Sequence, residues 1–174
     1  MISLHELPIR YEELNRLYEH CDQKYCLNAL PTPLDEMMTR SYFLMVRTGR
    51  NNGNPFLCRG IFLDGTLIGK IELTKEEDGS AELDLIMDQA YENRGYGSEA
   101  LRRMIDLSKD TGFCDSICAY VQEENEAMKR VLEKNGFEAV RPFKADVMTP
   151  LTDGYRLRTV SGREYMCTLQ RSET

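Results

Sequence analysis

The chain has 174 residues, 41% hydrophobic and 29% charged, a balance that suits one domain with a sizeable core and excludes a disordered tail protein. Its formal net charge is −7, and no basic cluster occurs, so a nucleic-acid partner is not expected. No apolar run approaches the ~18 residues of a membrane span, and Met1–Glu6 lacks the basic and apolar segments of a signal peptide, so a cytoplasmic location is expected.

Residues 2–5 read as a short strand. Tyr11, Leu14, Leu17, Tyr18 and Cys21 recur at helical spacing and predict a first amphipathic helix. Pro31 and Pro33 interrupt the chain before a second, weakly periodic helix over Asp35–Arg47. Asn51–Pro55 has loop composition. Phe56–Leu63 and Thr66–Leu73 flank Asp64-Gly65, a strong hairpin signal. After a polar turn at Lys75–Ser80, the run Ala81–Met87 alternates. Ala81, Leu83, Leu85 and Met87 share one face; Glu82 and Asp84 share the other with Ile86.

A helix follows Gly95-Tyr96-Gly97, with Leu101, Met104, Ile105 and Ser108 inward and Gly112 at its C-cap. Ser116–Val121 reads as an apolar strand and Asn125–Asn135 as a helix ending at Gly136. Phe137–Phe143 and Glu164–Gln170 read as the last two strands, with a long polar connection over Ala145–Gly162. The expected fold is mixed α/β, of α+β type, in a single domain over 1–174, with element order β-α-α-β-β-β-α-β-α-β-β.

Charge is concentrated around the glycine pair. From Lys75 to Glu99 there are eight acidic and two basic residues. This reads either as a solvated acidic surface or as a cleft that attracts a cationic substrate. The six cysteines contain no C-x-x-C pair, and the second half of a zinc site after His20-Cys21 and Cys26 is missing, so reduced thiols and no metal are expected.

The segment Met87–Leu101 runs from strand through a two-glycine turn into a helix. Glycine lets the backbone approach a ligand, and the unpaired N–H groups of a helix start suit an anion such as a pyrophosphate. The alternative is a plain turn with Ser98 as N-cap. A dinucleotide fingerprint fits poorly, because the strand before the glycines ends a meander.

Three motifs carry a resemblance to the GNAT N-acetyltransferases. They are the loop Glu92-Asn93-Arg94-Gly95-Tyr96-Gly97-Ser98, the later Asn125-Glu126-Ala127 with Leu132-Glu133-Lys134-Asn135-Gly136-Phe137, and the strand start Ala81-Glu82-Leu83. The resemblance implies a mostly antiparallel sheet with a splayed strand pair that holds acetyl-coenzyme A as cosubstrate. It assigns Leu85, Ile86 and Met87 to backbone contacts with the pantetheine arm. It assigns Asn93, Arg94, Gly95, Tyr96, Gly97 and Ser98 to the pyrophosphate, and Asn125 to the arm or its neighbourhood.

The implied chemistry is direct attack of a primary amine on the thioester, with a backbone N–H polarising the carbonyl. Glu82 is the expected general base and Asp84 the second candidate. Two positions depart from the family pattern. The tyrosine that often protonates the leaving thiolate is Leu132 here, leaving Tyr120 or Tyr96 as substitutes. The loop opens on Glu92 instead of Gln or Arg, and Arg94 is the compensating charge. The acceptor expected from the acidic stretch is a polyamine, an aminoglycoside-like molecule or a protein amine. A catalytically silent acyl-coenzyme A-binding or regulatory module is the alternative, supported by Glu92 and Leu132. Dimerisation is common in the family, but no residue here demonstrates it.

Overall fold

The computed structural model describes residues 1–8 and 10–169. In chain order its elements are β1 (Ile2–His5), α1 (Tyr11–His20), α2 (Glu36–Thr48), β2 (Arg50–Asn51), β3 (Asn54–Leu63), β4 (Thr66–Lys75), β5 (Ser80–Met87), a single 3-10 turn (Gln89–Tyr91), α3 (Tyr96–Thr111), β6 (Ser116–Gln122), α4 (Glu126–Lys134), β7 (Glu138–Leu151) and β8 (Gly154–Thr168). The strands form one sheet in the order β1-β3-β4-β5-β6-β8-β7, with β2 paired to β3. All neighbours are antiparallel except β5 and β6. This is the mixed α/β, mostly antiparallel architecture read from the sequence.

Alternation in the central strands sorts the core into two layers. Ile71, Leu73, Ala81, Leu83 and Leu85 face α3 and α4, where Leu101, Met104 and Leu132 pack against them. Phe56, Cys58 and Ile86 face α1 and α2, against Leu14, Leu17 and Tyr18. Full burial of each such leucine or isoleucine contributes about 1.5–3 kcal/mol. The hairpin between β3 and β4 turns at Asp64 and Gly65, both with positive φ (49° and 81°), as a two-residue turn of the right twist requires.

Three segments differ from the sequence-based expectation. Residues Asn51–Pro55 are not a loop: β2 and β3 pair around Asn52-Gly53. Ala145–Gly162 is not a connection either. There β7 and β8 continue as a ribbon from Lys144↔Ser161 to Leu151↔Gly154. β6 ends opposite Gly162, so nothing in the sheet supports the ribbon beyond it. Val147 and Val160 are buried there, but Met148, Tyr155 and Leu157 are exposed, so hydrophobicity does not follow the two-residue period and the strands are hidden in the sequence. Finally, α3 starts at Tyr96 with Gly95 as N-cap, so Ser98 lies inside the helix and is not its cap. Gln170, assigned to the last strand, lies outside the described residues.

Candidate active site

β5 and β6 run side by side for only three residue pairs, Ser80↔Ser116, Ala81↔Ile117 and Glu82↔Cys118. Past Glu82 they separate. β5 stays paired to β4 as far as Met87, and β6 stays paired to β8 as far as Gln122. The gap side of Leu83–Met87 is therefore a strand edge inside the sheet, with every second backbone group turned away from any strand. A cleft of about 760 Å³ runs through this opening, lined by Leu85, Ile86 and Met87 on one wall and Ala119, Tyr120 and Val121 on the other.

The glycine loop closes one end. Asn93 and Gly95 both adopt the left-handed region (φ 57° and 84°), which folds the chain back under the start of α3. No side chain caps that helix, and Glu99 N–H donates to the Gly95 carbonyl at 3.0 Å. The amides of Tyr96, Gly97 and Ser98 thus lie ahead of that ladder at the positive end of the helix dipole. A Cβ on Gly97 would meet only Leu85 and Val131, at 3.7 and 3.9 Å, so the glycine leaves space between β5 and α4. The loop is anchored from behind by Asp88. Its carboxylate accepts from Ala90 N–H and pairs with Arg16 (3.6 Å) and His20 (3.4 Å) of α1.

Asn93, Gly95, Gly97, Ser98 and Asn125 line the cleft together with the β5 residues; Arg94 and Tyr96 do not. The Arg94 guanidinium stands over the Tyr91 ring, and Tyr96 packs into the core. Asn125 caps α4, its Oδ1 accepting from Met128 N–H at 3.1 Å. Asn135 ties α4 to α3, donating to Ser98 Oγ at 3.0 Å. Glu92 lies on the rim, where partial burial and the nearby Asp22 and Asp88 push its carboxyl above the usual range.

The opposite end of the cleft is acidic. Glu82 and Asp84 project from the α1/α2 face of β5, as the alternation predicts. Partial burial raises the Glu82 carboxyl, and Glu76 and Asp84 add to the rise. Glu76 also lines this end, while Arg130 and Lys134 of α4 line the other, where Asp22 stands near Glu92. Tyr120 lines the β6 wall, its phenol raised by burial and by Glu164. Leu132 is fully buried and offers no hydroxyl. Tyr42 of α2 also reaches the cleft, whereas Asp35 caps that helix and Glu36 pairs with Arg40 on the surface.

Sequence reasoning missed Lys70 and Glu72. On β4 they read as the outward face of an alternating strand. The strand is central, however, so that face becomes the cleft floor, and Lys70 is among the largest fully buried side chains. Its ammonium lies 2.7 Å from Glu72 Oε1 and 3.7 Å from Asp84 Oδ2, with the Tyr18 and Tyr42 rings 5.6 and 5.0 Å away. The Tyr42 hydroxyl donates to the same Glu72 oxygen. Among the described residues no group of three or more His, Cys, Asp or Glu side chains is placed to hold a metal ion, and no helix is long and apolar enough to cross a membrane.

Comparison with known proteins agrees with this geometry. The model of the acetyltransferase (GNAT) domain matches residues 7–138. No curated protein matches the sequence. Similar solved structures include a ribosomal-protein alpha-N-protein acetyltransferase in complex with coenzyme A (TM-score 0.75, 16% identity, 98% of this chain and 96% of that one). Another is the spermidine N-acetyltransferase of Vibrio cholerae in complex with coenzyme A and spermine (0.71, 16%, 98% and 96%). A third is a GNAT-family acetyltransferase of Bacillus anthracis (0.70, 21%, 96% and 94%). At these identities the likeness is one of fold.

Proposed function

Because the chain belongs to the GNAT acetyltransferase family, we propose that it moves an acetyl group from acetyl-coenzyme A to a primary amine of a cationic acceptor, by direct attack in a ternary complex. One observation carries the reading: the strand pair opens immediately after Glu82, between an uncapped helix start and an acidic floor.

The residues present fit the cosubstrate. The gap-side backbone groups of Leu85, Ile86 and Met87 pair with the amides of the pantetheine arm. The amides at the start of α3, presented by Asn93–Ser98, hold the pyrophosphate. Arg94, expected to compensate Glu92, instead stacks its guanidinium over Tyr91 outside the cleft lining. Asn125 has its oxygen committed to the α4 cap, so its amide NH₂ is the group available to the arm. Arg130 and Lys134 give this half of the cleft positive charge.

Acetyl-coenzyme A supplies the activated carbonyl. A gap-side N–H of β5 receives the negative charge that develops on the carbonyl oxygen. Glu82 removes the ammonium proton, directly or through water. Its raised pKa brings it closer to that of the amine whose proton it takes. Tyr120, a hydroxyl on the β6 wall, gives its proton to the departing thiolate and is reprotonated by the second proton that the acylated nitrogen sheds. The acids of the floor favour an acceptor that arrives as a cation, such as a polyamine, an aminoglycoside-like molecule or a protein amine.

The test is release of free coenzyme A from acetyl-coenzyme A on incubation with spermidine, an aminoglycoside and a peptide with a free N-terminus. Amine-dependent release from one of them is expected. Binding of acetyl-coenzyme A with no release from any of them would favour the catalytically silent module, for which Glu92 on the rim and Leu132 in the core are the structural support.

A further inference from the structure

Glu72 and Asp84 are direct cross-strand partners on β4 and β5 and occupy the same face. Like charges placed so oppose sheet formation. Lys70, two residues before Glu72, projects from that face between them and bridges both. A buried ionic group of this kind adds little to stability compared with an apolar replacement of similar volume, so its presence points to use.

The three members differ sharply in access. The Lys70 side chain is 2% exposed and that of Glu72 10%, whereas that of Asp84 is 59% exposed, through the cleft mouth. Glu72 is enclosed and takes hydrogen bonds from Tyr42 and Lys70. Lys70 is enclosed by Tyr18 of α1, Tyr42 of α2 and the two carboxylates. All three line the cleft, but Asp84 is the one whose side chain is exposed in it, one alternation from Glu82.

We propose that Lys70 is a positioning residue: its ammonium fixes the Asp84 carboxylate against Glu72, and Asp84 is the anchor that takes up the acceptor's ammonium while Glu82 acts as base. This rests on the acetyltransferase reading above and assigns the two β5 carboxylates separate roles. The surroundings agree. Burial alone would lower the Lys70 pKa, but Glu72, the two phenols and Asp84 outweigh it and keep the group charged. Although its side chain is reached through the cleft mouth, the protein packed around the cleft strips water from Asp84 and raises its carboxyl, Lys70 pulls against that rise, and Glu72 adds to it. Cys26 faces the same carboxylate from the α1–α2 connection as a neutral thiol, pushed up to about 12 mainly by burial. Lys70 is thus the cation that favours the charged form of Asp84.

Two measurements test this. The first needs no acceptor: thermal melting of wild type, Lys70→Met, Asp84→Asn and the double variant between pH 5 and 8. Without the ammonium, the facing carboxylates have folded pKa values above their unfolded ones. Stability of Lys70→Met is then present at low pH and lost as pH rises through the folded values. The deficit against wild type should widen towards pH 8, and Asp84→Asn should restore part of it in the double variant. Simple addition of the two single losses would overturn the hold of Lys70 on Asp84.

The second uses the amine turned over fastest by wild type. Asp84→Asn should raise its KM about tenfold or more with acetyl-coenzyme A affinity unchanged. Lys70→Met should move the acid limb of kcat/KM to higher pH, which loss of packing alone would not do. An unchanged KM and acid limb in folded variants would overturn the anchor. A wild type silent towards every amine would remove the acetyltransferase reading and the anchor with it, while the melting cycle still decides the role of Lys70.

Discussion

Glu82 stands opposite Cys118 at the last pair that joins β5 to β6. One strand residue therefore both ends the pairing and carries the carboxylate nearest the opening. If it is the base, Glu82→Gln should lower kcat by about 10²-fold or more and leave acetyl-coenzyme A affinity unchanged. The active form is the deprotonated one, and the Glu82 pKa is raised. In wild type, activity should therefore fall with decreasing pH from a point above the ordinary glutamate range. In Glu82→Gln that limb should vanish from the residual kcat, measured at saturating acceptor. Initial rates across pH check both outcomes.

Gly97 separates a binding effect from a folding effect. An added Cβ meets only ordinary contacts with Leu85 and Val131, so the fold accepts a side chain there. A larger one fills the space beside the α3 amides. Gly97→Leu should reduce acetyl-coenzyme A affinity about 100-fold or more, the loss expected when several charge-assisted hydrogen bonds go. Its melting temperature without ligand should stay close to that of wild type. Calorimetry and a thermal shift read the two separately.

The thiols are set against ionisation. Burial raises Cys26 and Cys58 to about 12, and Cys21, Cys114 and Cys118 to about 11. An unfolded thiol ionises near ~8.5. Their contribution to stability is thus full below that value and is lost as pH rises towards the folded values. The melting temperature should fall progressively above pH ~9. At pH 8, iodoacetamide should label the native chain far more slowly than the chain in urea, even at Cys26 on the cleft wall.

Gly162 marks where β8 leaves β6. A Cβ there would lie 2.0 Å from the Val121 carbonyl oxygen, a backbone atom that cannot swing away. Gly162→Ala should cost on the order of 3 kcal/mol, seen as a melting-temperature drop of roughly 6–12 °C.

What the sequence made legible follows from local signals. Asp64-Gly65 declares its own turn, Gly112 ends α3, and the alternation Ala81–Met87 separates Glu82 and Asp84 from the core face, because each depends on residues close together in the chain. Lys70 and Glu72 were not legible for the opposite reason. Their meaning depends on β4 being central and on Tyr18 and Tyr42 arriving from two helices. The β7–β8 ribbon was missed because neither of its faces is consistently buried. Arg94 and Tyr96 belong to the loop motif, yet their side chains turn to Tyr91 and to the core, since a helix start presents backbone amides at positions whose side chains point elsewhere.

The central claim is that the opening between β5 and β6 takes acetyl-coenzyme A. Calorimetric titration of acetyl-coenzyme A into the purified chain tests it most directly. One site per chain is predicted, with a melting-temperature rise equivalent to about 2.7 kcal/mol at a hundredfold excess over Kd. No heat of binding and no thermal shift with either acetyl-coenzyme A or free coenzyme A would contradict the account.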